Sequence, residues 1–102
     1  MQIIPIKAVP AQSIKVTLNG QACRIEIRQT PYGVFLNLYI NEIPVVVGAI
    51  CQDRNRVVRS TYLGFIGDLM IEDTAGTDDP TADGLGSRFQ LVYLDPGEVV
   101  AA

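Results

Sequence analysis

Polar and apolar residues alternate along most of this chain with a period of two, the spacing of a strand that buries one face. Ser13 to Leu18 sends Ile14, Val16 and Leu18 one way and Ser13, Lys15 and Thr17 the other. Gln21 to Arg28 repeats the pattern, with Cys23, Ile25 and Ile27 inward and Arg24, Glu26 and Arg28 outward. Between them stands Asn19-Gly20. Both residues accept the positive φ of a type I′ turn, so the two strands form a hairpin. Thr30-Pro31-Tyr32-Gly33 reads as a turn through its proline and glycine. Val34 to Ile40 then alternates again, with Val34, Leu36, Leu38 and Ile40 on one face and Phe35, Asn37 and Tyr39 on the other. Asn41-Glu42-Ile43-Pro44 turns the chain into Val45 to Ile50, an unbroken apolar run. Such a run predicts burial on both faces, or on one face plus a partner. The pair makes a second hairpin, or a ribbon with a longer connection.

The remaining segments are shorter. Gln2 to Ala8 is an apolar start interrupted by Pro5, which suits an edge or bent strand. Gln52 to Ser60 is polar and basic without helical spacing, and reads as a loop or a single helical turn. Tyr62-Leu63-Gly64-Phe65-Ile66-Gly67 leads into a strand over Asp68 to Asp73, with Leu69 and Ile71 against Asp68, Met70 and Glu72. Thr74 to Gly86 is a loop rich in glycine and aspartate. Ser87 to Asp95 closes the domain, with Phe89, Leu91 and Tyr93 on one face. Short strands with turn signals every eight to twelve residues predict an all-β fold: a small antiparallel β-sandwich or partly closed β-barrel built from hairpins. The expected organisation is one β domain over residues 1–95 and a flexible C-terminal tail over 96–102.

Length and composition agree with this. A chain of 102 residues supports one core. Its 48% apolar content argues against disorder. A mean hydropathy of +0.24 is high for a small domain, so some apolar side chains are expected to face a partner. Residues 1–60 carry seven basic and three acidic side chains, whereas 61–102 carry one, Arg88, and eight. Opposite poles of this kind can pack against copies or complementary subunits, unless the fold mixes the halves in space. No stretch is long and apolar enough for a membrane helix, and the N-terminus lacks the form of a signal peptide, so synthesis in the cytoplasm is expected. Cys23 and Cys51 lie in apolar strands, which suits buried, reduced thiols.

Chemistry is scarce. The chain has no histidine, so neither a Ser-His-Asp nor a Cys-His arrangement can be built within it. Gly84-Leu85-Gly86 lacks the third glycine and the βαβ context of a phosphate loop. No catalytic residue, cofactor or metal is expected. The loop Asp78-Asp79-Pro80-Thr81-Ala82-Asp83-Gly84 is the best place for calcium, although its spacing departs from an EF-hand and a solvated turn explains it more simply. Arg54, Arg56 and Arg59 near Tyr62 and Phe65 would suit a single-strand nucleic-acid barrel. The acidic pI of about 4.7 disfavours that reading, and pairing of the arginines with carboxylates of residues 68–83 or of a neighbour fits better.

Three collinear stretches carry a resemblance. They are Ile4-Pro5-Ile6 with Pro10 to Gln21, then Tyr62 to Leu69, and, most specifically, Asp79-Pro80-Thr81-Ala82-Asp83-Gly84-Leu85-Gly86-Ser87-Arg88-Phe89-Gln90-Leu91-Val92-Tyr93. Together they resemble the baseplate plug family of contractile-tailed phages over residues 2–94. One departure is the absence of a tryptophan in the strand near Tyr32 to Leu38. The resemblance implies a structural virion protein that closes the tail-tube lumen near hub and spike, made in the host cytoplasm. It also implies contacts with hub, spike and copies of itself, three copies matching a threefold hub. On physical grounds the interface candidates are Tyr62, Leu63, Gly64, Phe65, Ile66, Gly67, Asp79, Pro80, Asp83, Gly84 and Gly86, with Arg54, Arg56 and Arg59. Glycines allow close approach and aromatics anchor interfaces, while core packing explains the aromatic segment equally well.

Overall fold

A computed structural model of the chain describes residues 2–58 and 65–95 and is all-β, in two antiparallel sheets. The strands are β1 (Gln2–Ile4), β2 (Ala11–Leu18), β3 (Gln21–Thr30), β4 (Gly33–Ile40), β5 (Ile43–Cys51), β6 (Asp68–Asp73) and β7 (Phe89–Leu94). One sheet is a meander in the order β2-β3-β4-β5, and the other runs β1-β7-β6. Neither closes on itself, so the architecture is the sandwich and not the barrel.

Turn chemistry sets the meander. Asn19 and Gly20 take φ of 51° and 76°, and Leu18 faces Gln21 across the turn. Asn41 and Glu42 do the same at 50° and 66°. That turn is therefore two residues long, and Ile43 and Pro44 already belong to β5. At the intervening turn, Thr30 Oγ1 accepts the Tyr32 N–H and donates to the Gly33 carbonyl, each at 3.1 Å.

The alternation then fills the core. Cys23, Ile25 and Ile27 of β3 and Val34, Leu36 and Leu38 of β4 are buried, together with Leu69 and Ile71 of β6 and Phe89, Leu91 and Tyr93 of β7. Each large aliphatic side chain taken out of water there contributes roughly 1.5–3 kcal/mol. Val92 and Leu94, on the opposite face of β7, are buried as well. The register also separates the thiols. Cys23 faces Ile40 and Cys51 faces Val34, six residues away on β4, which is about 20 Å. A disulfide needs Cα atoms within about 7 Å, so the pair cannot bond. Burial pushes the Cys51 thiol up to about 12 and raises that of Cys23.

For two segments the structure removes one of the two alternatives. Val45 to Ile50 is not buried on both faces: β5 is the outermost strand, with Val47 68% and Ile50 39% exposed. Its four-stranded sheet is wider than the three-stranded layer beneath it, so only Val45, Val46 and Ala49 reach the core. The described part of Gln52 to Ser60 is a loop and not a helical turn, since Arg54 takes a φ of 57°. It lies along β6, with Arg54 N–H donating to the Ile71 carbonyl and Val57 N–H to the Leu69 carbonyl, both at 2.8 Å. Val57 and Val58 thereby enter the core.

Gly67, at φ of 97°, approaches β7 closely. A Cβ there would lie 2.3 Å from the Leu94 carbonyl oxygen and 2.7 Å from the Tyr93 hydroxyl. Gly20 shares the positive φ but faces open space. Gly67→Ala is expected to cost about 2–4 kcal/mol and lower the melting temperature by roughly 10 °C or more, whereas Gly20→Ala should cost about 1 kcal/mol. Thermal melts of the two variants measure the difference; equal losses would contradict the packing at Gly67.

Candidate functional site

Arg54 and the candidates of the loop from Thr74 to Arg88 gather at the Asp73 end of β6, where ion pairs tie the loop down, whereas Phe65, Ile66 and Gly67 lie at the opposite end, where β6 begins beside Tyr93 and Leu94. Asp73, the last residue of β6, is buried. Its carboxylate receives Arg88 Nε and Nη2, each at 2.8 Å, and the backbone N–H groups of Ala75 and Asp78. The Arg88 hydrogen bonds, with the two amides, hold this carboxyl well below the usual carboxylate range. Arg88 also reaches Asp78 at 2.8 Å and lies over the Phe89 ring. A second arginine works beside it. Arg54 pairs with Asp53 at 2.6 Å and donates to the carbonyls of Asp73 and Gly76. Asp53 in turn accepts the Asp73 N–H, and its own N–H goes to Asp79.

The far half of the loop docks on the sandwich. Ala82 N–H donates to the Gln29 side chain on β3 at 2.7 Å. Leu85 and Pro80 are buried. Gly84 lies against the Phe89 ring and Gly86, at φ of 83°, against the Ile6 carbonyl. These glycines therefore serve close approach to the chain's own body. Asp83 is exposed and accepts the Thr81 hydroxyl.

The aromatic segment is tied from the opposite layer. Gln21 receives the Ile66 N–H at 2.9 Å and donates back to the Ile66 carbonyl at 3.2 Å, which the Tyr93 hydroxyl also reaches. Phe65 is 4% exposed and packs edge-on against Tyr93, so its ring belongs to the core; Ile66 projects outward. Tyr62, Leu63, Gly64 and Arg59 lie outside the described residues. Arg56 is half-buried at a bridge to Met70.

At the surface the candidates leave Ile66, Arg54, Asp79, Asp83 and Gly86. The other layer exposes apolar surface at Tyr32 (85%), Ile43 and Val47, of which the sequence marked only Val47, within a run read as meeting either a second layer or a partner. Folding softens the charge split: the layer of residues 11–51 carries three basic and two acidic side chains, and Arg54 and Arg56 from the basic half lie along β6, Arg54 against Asp53 and Glu72, although most of the acids stay with that second layer.

Chemically this is a fastening. Asp73 is ionised and fully engaged at neutral pH, and Asp78, Asp79 and Asp83 each turn to a different internal partner. Among the described residues no group of three acids or thiols is placed to hold a metal ion. The family described as cyanophage baseplate Pam3 plug gp18 matches residues 1–96 of the chain. No curated protein matches it.

Because the native carboxyl of Asp73 titrates below the unfolded one, its stabilisation is present above the ordinary value of about 3.9 and fades as pH falls beneath it. Asp73→Asn should therefore melt well below the parent protein at pH 7, and the gap should narrow from about pH 4 downward. Melting temperature against pH checks this; a gap constant down to pH 2 would contradict it.

Proposed function

Because this chain belongs to the cyanophage baseplate plug family, its role is that of a structural component of the virion baseplate, and we propose that there it closes the tail-tube lumen. The reading carries further detail: a contractile tail, contacts with the hub and spike proteins, copies of the chain converging on the axis, and synthesis in the host cytoplasm. Three copies would match a threefold hub. The mechanism is steric. A plug needs a body that keeps its shape under load and surfaces that fit neighbours; it needs no reaction.

The observation that carries this is the family match over residues 1–96, and the fold supports it. The Thr74 to Arg88 loop is fastened by Asp73, Arg88 and Arg54 and so presents a fixed outline. Apolar side chains stand exposed on the opposite layer, where a neighbour can cover them. Arg54, needed by the nucleic-acid reading, is already engaged within the chain. The calcium reading has no cluster among the described residues to rest on.

Co-expression with the hub and spike proteins of the same tail tests the proposal. The expected result is a complex of fixed stoichiometry, and density for this chain on the axis of the assembled baseplate. Density only at the periphery would overturn the lumen assignment.

A further inference from the structure

Open sheet edges carry backbone groups that another strand can satisfy, and folds usually block them. Among the described residues the two sheets have four edge strands. Residues Asp53 to Val57 cover β6. β1 is three residues long. β5 carries Pro44 and two breaks of register, and Gly48, at φ of 71°, gives its N–H to the Asn37 side chain instead of the ladder. Only β2 is regular: eight residues without proline, glycine or bulge, paired without interruption from Ala11–Arg28 to Leu18–Gln21.

Its hydrogen-bonding phase is fixed. Gln29 N–H donates to the Pro10 carbonyl at 2.7 Å. With period two, the backbone groups of Gln12, Ile14, Val16 and Leu18 turn to β3. Those of Ala11, Ser13, Lys15 and Thr17 turn to the open edge, and among the described residues nothing meets them.

We propose that two copies of this chain pair through β2, antiparallel about a twofold axis at Ile14, so that two four-stranded sheets become one of eight. Ile14 then faces Ile14 of the second copy, Gln12 faces Val16, Ser13 faces Lys15 and Ala11 faces Thr17. The last two kinds of pair place all the open groups of Ala11, Ser13, Lys15 and Thr17 in the ladder. On the inner face, Ile14 and Val16 pack against the core while remaining half-exposed, and the pairing covers them.

Charge selects the second copy and its register. Lys15 is the one charged residue on β2, and Arg24 stands beside it on β3. A twofold axis at Lys15 would set the two lysines directly opposite each other, with no carboxylate between them; the Arg24 beside each is already paired with Glu26 and Glu42. Shifting the axis to Ile14 sets each Lys15 opposite Ser13, whose other neighbour is Glu26. Two strand spacings, about 10 Å, separate the Cα atoms of Lys15 and Glu26, a span the two side chains cover together. The lysines themselves then stand diagonally, each within reach of the other copy's Glu26, whose carboxylate already accepts from Arg24 and Asn37 and would take the lysine as a further donor. Meeting a threefold hub would then take three pairs, six copies, in place of the three single copies named for the plug.

Light scattering of the purified full chain is expected to give an even multiple of 11.1 kDa. Ile14→Cys should cross-link two copies under mild oxidation. Val16→Cys should not, since Gln12 lies opposite it. Ser13→Lys, on an exposed position, should keep the melting temperature within a few degrees yet weaken association at least tenfold at low salt, with recovery at high salt. A monomeric or trimeric mass, an Ile14→Cys that stays uncross-linked, or a Ser13→Lys that associates as before overturns the pairing. Those results leave the plug reading standing. Absence of the chain from the baseplate axis would remove that reading and leave the pairing intact.

Discussion

Contact between two apolar faces governs this molecule: the inward stripe of β3 and β4 against the inner face of β6 and β7. Cys23, Ile25, Ile27, Val34, Leu36 and Leu38 supply one side, and Leu69, Ile71, Leu91 and Phe89 much of the other. A sheet of three strands with one short member would be marginal alone in water. Against the meander it becomes a firm base for a long loop. The fastenings work only because that base exists. Asp73 is buried at the end of β6, and Gln21 on one layer holds Ile66 on the other.

Where the pattern was local, the sequence was enough. Strict alternation in Ser13–Leu18, Gln21–Arg28 and Val34–Ile40 identified the buried face, because a period of two leaves only one choice of register against a core. Asn19-Gly20 specified its turn by conformation alone. What stayed open depended on distant partners. An apolar run such as Val45–Ile50 reads the same whether its outer face meets another layer or nothing, and here the second layer is too narrow to reach it. Val57 and Val58 carry no period and are buried because β6 offers them an edge. Asp73 reads as one acid among many until Arg88, fifteen residues later, folds back onto it. Gly67, Gly84 and Gly86 were legible as sites of close approach; that the approaching group belongs to the same chain was not.

These features favour a protein that functions by shape. Long loops in small β domains are often mobile and chemically active. Here the long loop is immobilised by two arginines and by burial of Pro80 and Leu85, while the exposed apolar groups stand on the other layer. One side is thus basic to neutral with apolar patches, and the other acidic and fastened. A baseplate component that must meet several neighbours at once gains from keeping such surfaces apart.

All of this requires the two sheets to act as one cooperative body. Native-state hydrogen exchange measures that directly, residue by residue. The account predicts that the inner ladder amides of β3, β4 and β7 exchange only through a common opening with one free energy and one denaturant dependence. If β7 and β6 opened at markedly lower free energy while the meander stayed protected, the seam would not be what holds the loop in place, and the account would be contradicted.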